Sequence, residues 1–185
     1  MAGSILTQTL VRFANSEVEG FEQPFNFTAG TVKWSVASDR KCLVAARGWG
    51  PYRPPQWNAT THTQRTEDVT RLLTSAVPEK ASSVPLEELA AWANQPAEGD
   101  AVLGLALGVP VNIRKLAHIL EGLPFKTIFV WDASKAADMP CLGLAVGGGS
   151  WRAYLAGFPL DEDGPDVDAF DPQAQQALFD LALGV

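Results

Sequence analysis

Residues 109–160, VPVNIRKLAHILEGLPFKTIFVWDASKAADMPCLGLAVGGGSWRAYLAGFPL, carry the strongest structural signal in the chain. A short strand over 108–111 runs into a polar cap at Asn112, which opens a helix over 113–120. Ile113, Leu116, Ala117, Ile119 and Leu120 fall near one stripe at i, i+3, i+4 and i+7 spacing, the mark of an amphipathic helix with one side on a sheet. Arg114, Lys115, His118 and Glu121 fall on the remaining surface. Three strands follow, over 126–131, 141–146 and 151–157. Gly147-Gly148-Gly149-Ser150 reads as the hairpin loop joining the last two. As a phosphate cradle it would need a following helix and a Lys-Ser/Thr pair, and it has neither.

Upstream, residues 25–28 and 31–37 alternate apolar and polar and meet at Ala29-Gly30, a hairpin signal. Another strand is expected over 41–47. Trp49-Gly50-Pro51-Tyr52-Arg53-Pro54-Pro55 then breaks regular structure. Between 58 and 100, a short helix is expected over 68–75. A better one runs over 85–93, with Pro85 at its first turn and Glu87 and Glu88 near the positive end of its dipole. Residues 101–107 form an apolar run of strand length. At the ends, residues 4–14 suit an amphipathic helix, residues 161–168 (DEDGPDVD) an acidic linker, and residues 173–183 a closing helix.

Two patches resemble the bacterial DNA sliding clamp (the beta subunit of DNA polymerase III). One comprises GVPVNIRKLAHILEGLP, KTIFVWDAS and AVGGGSWRAYLAGFPL. The other is FNFTAGTVKWSVASDRKCLVAAR, similar to the clamp's hairpin, strand and T-D-G-H-R-L-A-like turn, with Arg40-Lys41 where that pattern has Gly-His. Together they span roughly half the chain. The resemblance implies an α+β fold over residues 1–160: a single DNA-clamp-like domain with two helices packed on antiparallel sheet. Residues 58–100 are then a helical insertion, and 161–185 an acidic linker and C-terminal helix. In the alternative alignment, SVPLEELAAW is itself the family helix and Val109 begins another half-domain.

The same resemblance implies a non-enzymatic processivity factor or scaffold. With one domain per chain, encircling double-stranded DNA would require a homo-oligomeric ring. Gln8, Arg12, Arg114, Lys115 and His118 are the candidate DNA contacts, because phosphate binding needs only cations at rough spacing. The plain alternative is a solvated helix face, diluted by Glu121. Leu43, Tyr154, Leu155, Phe158, Pro159 and Leu160 match a clamp's apolar partner cleft; core packing explains them equally well. Gln175, Leu178 and Phe179 match three positions of the five-residue clamp-binding tail, which an amphipathic closing helix also explains. The rival function is an interaction module that binds or blocks a replication or defence partner, such as another clamp, without touching DNA.

Composition narrows the classes. The net charge of −7 over 185 residues argues against nucleic-acid binding by the whole surface, though not by one face. No apolar run is long enough for a membrane span, and the start lacks a secretory pattern. Cys42 and Cys141 lie in expected strands, where a buried unpaired thiol is the ordinary reading, and a cytoplasmic chain is expected from that. With His62 and His118 the only histidines, no metal site, cofactor or catalytic constellation is expected. Asp132 and Asp138 read as turn residues. A weaker rival is an enzyme with its site in the 58–99 region.

Overall fold

The computed structural model describes residues 23–39, 41–95 and 103–158, together with the backbone of a short strand at Ala169–Phe170. The expected helices over 4–14 and 173–183, the acidic linker, and Gln8, Arg12, Pro159, Leu160, Gln175, Leu178 and Phe179 lie outside the described residues.

The chain opens with β1 (Phe25–Ala29), β2 (Val32–Ser38) and β3 (Cys42–Arg47), an antiparallel meander. Its first turn is only Gly30-Thr31, and Gly30 takes φ +61°, a conformation that suits glycine. Helix α1 (Ala59–Thr74) crosses to β4 (Ser82–Pro85) on the far edge, and α2 (Leu86–Ala93) follows directly. A hairpin of β5 (Leu103–Ala106) and β6 (Val109–Asn112) leads into α3 (Ile113–Leu120). Then come β7 (Thr127–Asp132), the single-turn α4 (Ser134–Ala137), β8 (Cys141–Ala145) and β9 (Trp151–Ala156). Finally β10 (Ala169–Phe170) pairs parallel with β5.

The main sheet has seven strands in the order β1-β2-β3-β9-β8-β7-β4, every neighbouring pair antiparallel. Side chains alternate between its faces along each strand. Cys42, Val44, Leu142, Leu144, Trp151 and Leu155 join one core, closed by Leu89 and Trp92 of α2 and Leu116 and Ile119 of α3. Phe25, Phe27, Trp34, Leu43, Trp131 and Tyr154 join a second core, closed by Val69 and Leu73 of α1. The molecule therefore has a mixed α/β, three-layer arrangement with helices on both sheet faces.

Eight of the strands agree with the sequence reading to within a residue or two, and the Asn112 cap is present: its side chain accepts from Lys115 N at 3.0 Å. Strands β4 and β10 are absent from that reading, and three expectations change. Residues 82–85, read as the lead-in and first turn of a helix, are the strand β4 paired with β7; Pro85 ends it and α2 starts at Leu86. Helix α1 begins nine residues before the expected 68, at an Asn58 cap that accepts from Thr61 N (3.0 Å). The 58–100 stretch does hold two helices, but it is not appended to a finished domain. Val84 of β4 and Leu89 of α2 are 1% and 0% exposed in the main core, and β4 completes the sheet edge against β7.

Both cysteines are free and buried. β9 lies between their strands and they are one residue out of register, so they stand at least about 9.6 Å apart at normal strand spacing, beyond the roughly 7 Å reach of a disulfide, and in different cores. Burial pushes the Cys141 thiol up to about 12, and burial, then Asp39, pushes Cys42 well above 9.0. Gly143 sits directly across from Trp131, whose indole covers it; a Cβ there would lie 2.3 Å from Trp131 Cε2.

Candidate functional site

The loop over 48–58 is fixed by two polar residues, Asn26 of β1 and Ser35 of β2. Ser35, 1% exposed, donates from Oγ to the Gly48 carbonyl (2.9 Å) and accepts from Gly50 N (2.8 Å). Asn26 Nδ2 donates to the carbonyls of Gly50 (3.0 Å) and Tyr52 (2.6 Å), while its Oδ1 accepts from Gly50 N (3.1 Å). The backbone N–H of Asn26 donates to Arg53 O at 2.9 Å, so Arg53 covers part of the open edge of β1. Three prolines, Pro51, Pro54 and Pro55, further restrict the loop.

Trp57 ends the loop. Its ring packs against Phe25 (5.3 Å), Phe27 (6.2 Å) and His62 (5.9 Å), with the Arg65 guanidinium 4.8 Å over it. Between this loop, one side of α1 and the second sheet face lies a groove of about 1290 Å³. Thr61, Gln64, Arg65, Asp68, Val69 and Leu72 recur at helical spacing along its α1 wall. Leu43 and Tyr154, direct cross-strand partners, line its sheet wall together with Ala156.

Among the described lining residues the groove has more cations, Lys41, Arg53 and Arg65, than carboxylates. Tyr52 Oη and Trp57 Nε1 are buried without a hydrogen-bond partner among the described residues, and burial raises the Tyr52 pKa, keeping the phenol protonated. Lys41 and Arg53 are exposed at the rim and make no ion pair among the described residues. Among the described lining residues the one carboxylate, Asp68, is already held by Arg71 (3.0 Å) and Gln64 Nε2 (3.1 Å). Tyr154 Oη donates to Leu72 O (2.7 Å), joining α1 to β9, and burial pushes its phenol up, with Arg152 acting oppositely.

Of the expected partner cleft, Leu43 and Tyr154 come together in this groove. Leu155 does not. As Tyr154's neighbour in a strand it points to the opposite face, where it is 1% exposed in the α2–α3 core. Phe158 is half-buried, and its N–H donates to Pro110 O (2.9 Å). On α3, Arg114 is exposed. Lys115 is ion-paired with Asp39, whose side chain is 2% exposed, and His118 Nδ1 lies 3.8 Å from Glu121. Asp132 accepts from Ser134, and Asp138 takes a left-handed turn conformation, so both act as turn residues.

The sequence reading passed over Tyr52, Arg53, Trp57 and Arg65. The available signal was the run WGPYRPPQW over 49–57, where aromatics and prolines concentrate in a stretch without periodicity. Among the described residues no group of three or more His, Cys, Asp or Glu could hold a metal ion, and no helix is long and apolar enough to cross a membrane. No protein-family model, curated protein or solved structure matches the chain.

Proposed function

We propose that this protein is a non-enzymatic interaction module that receives a segment of another polypeptide in the groove between α1, the 48–58 loop and β9. The groove itself carries the reading. At about 1290 Å³ it exceeds the roughly 300–1,000 Å³ of small-molecule sites. It combines an apolar floor with aromatic and arginine side chains, the types enriched at protein interfaces. Its walls are fixed before any partner arrives by the Asn26 and Ser35 hydrogen bonds, which lowers the ordering cost of binding. The test is peptide binding by fluorescence anisotropy, with Leu43→Arg and Val69→Arg closing the floor. Binding that survives both substitutions, in variants that still melt cooperatively, rules the groove out.

A second reading keeps the clamp-like role on DNA, with α3 facing the duplex in a self-assembled ring. The exposed Arg114 beside the α2–α3 layer favours it. If Arg114 contacts phosphate, Arg114→Glu weakens double-stranded DNA binding and lowers the salt slope by about 0.9 per lost contact. Light scattering with and without DNA gives the assembly state. An unchanged salt slope removes α3 from DNA contact.

A further inference from the structure

We propose that the groove selects an acidic, extended peptide segment of a partner protein, its alternate residues apolar. The inference rests on the peptide-groove reading above and names the class of peptide. Extended chains send successive side chains to opposite sides. One set would then enter the floor made by Leu43, Val69 and Tyr154, and the other would meet the rim. Lys41, Arg53 and Arg65 supply three cations to the lining of a protein whose net charge is −7. Asp68, the carboxylate among them, is engaged within its own helix by Arg71 and Gln64. Charge complementarity of this kind selects partners and speeds their encounter.

The exposed cations point the same way. Carboxylates accept the stronger, charge-assisted hydrogen bonds from lysine and arginine, and Lys41 and Arg53 are exposed among the lining residues to donate them. Single-stranded nucleic acid also offers negative charge, but it binds such grooves by stacking bases on open aromatic faces. Trp57 has no such freedom, being packed by Phe25, His62 and Arg65 at 5.3, 5.9 and 4.8 Å. The chemistry therefore favours a polypeptide over a nucleic acid.

The test uses the full chain and three fluorescein-labelled eight-residue peptides that alternate leucine with glutamate, glutamine or lysine. The expected result is at least tenfold tighter binding of the Glu/Leu peptide than of the Gln/Leu one, weakening as salt rises. The double variant Lys41→Glu, Arg53→Glu should lose at least tenfold for Glu/Leu with its melting temperature unchanged, since both residues are exposed. Equal binding of Glu/Leu and Gln/Leu, or preference for Lys/Leu, overturns the acidic selection and leaves the peptide groove standing. Failure of all three overturns both readings. An oligothymidylate that displaces the Glu/Leu peptide, with the same sensitivity to the double variant, overturns the choice of a polypeptide.

Discussion

Replacing Asp39 by alanine should be among the more damaging single changes in the turns of this fold. Asp39 Oδ1 accepts from Lys41 N (3.0 Å) and Cys42 N (2.7 Å), closing the turn between β2 and β3. Its Oδ2 accepts from Lys115 Nζ, 76 residues away on α3. The Asp39 side chain is 2% exposed and that of Lys115 20%. Truncation strands the part-buried Cys42 N–H, at about 1–3 kcal/mol. It also leaves Lys115 without its counter-charge. Breaking a fully buried pair costs about 3–5 kcal/mol, and the one-fifth exposure of Lys115 lets it recover some solvation, so its share falls below that range. The total is roughly 3–5 kcal/mol. A chain of this size loses about 2–4 °C of melting temperature per kcal/mol, giving a drop of roughly 6–20 °C. Urea unfolding followed by tryptophan fluorescence measures the free energy directly. Asp39→Asn keeps an oxygen for the turn and should lose less, and a cycle with Lys115→Met should show a coupling of at least about 1 kcal/mol. A loss under about 1 kcal/mol for Asp39→Ala, or a coupling near zero, refutes the assignment.

Gly143→Ala should destabilise by about 3 kcal/mol or more, because the new Cβ meets the buried Trp131 indole at 2.3 Å and the ring must leave its place; a urea midpoint within 0.2 M of the parent would contradict that packing. Cys141 keeps its proton when folded up to about 12, whereas an unfolded thiol loses it near 9.0. The unfolded state thus binds fewer protons between those values, and stability contributed by this group, full below 9, is lost as pH rises through 12, by roughly 3 kcal/mol at pH 11. The difference between parent and Cys141→Ala in urea unfolding should therefore shrink from pH 8 to pH 11; a constant difference refutes it.

Most strands were legible because alternation is a local property and most of their residues are buried on one face or the other. Strand β4 was not: of its four residues only Val84 is buried, and its proline and serines read as a helix start. The first half of α1 was not. Its sequence, ATTHTQRT, is rich in threonine and carries no apolar stripe; the helix is held there by the Asn58 cap and, further on, by Val69 and Leu73. The faces were partly legible: Leu43 and Tyr154, grouped from the sequence, do stand side by side on one sheet face, while Leu155 was grouped with its chain neighbour against the rule of alternation. The Lys115–Asp39 pair was out of reach, since a contact across 76 residues leaves no trace in spacing. It nevertheless joins the two patches on which the clamp resemblance rests, the β2–β3 turn and α3. Lys115 is therefore bound within the fold at the helix where the sequence reading expected an open basic face.

The existence of the groove follows from how unequally the two sheet faces are covered. Seven strands at about 4.8 Å spacing make a sheet roughly 29 Å wide. A helix with its side chains is about 10–12 Å across. On the first face α2 and α3 lie side by side, and the β5–β6 hairpin contributes Ala106, Val109 and Val111 to the same core, so the width is filled. On the second face, among the described residues, the 16-residue α1 and the single turn of α4 are the helices present, tied together by Arg71 Nε donating to Ala136 O (2.7 Å). Together they cannot span the sheet. Large side chains, Trp34, Trp131 and Tyr154, make up part of the difference, and the 48–58 loop closes the margin beside β1. What remains between loop and helix is the groove. It stays open because the Asn26 and Ser35 hydrogen bonds hold the loop out over the sheet edge, where a loop free to collapse would fill the space.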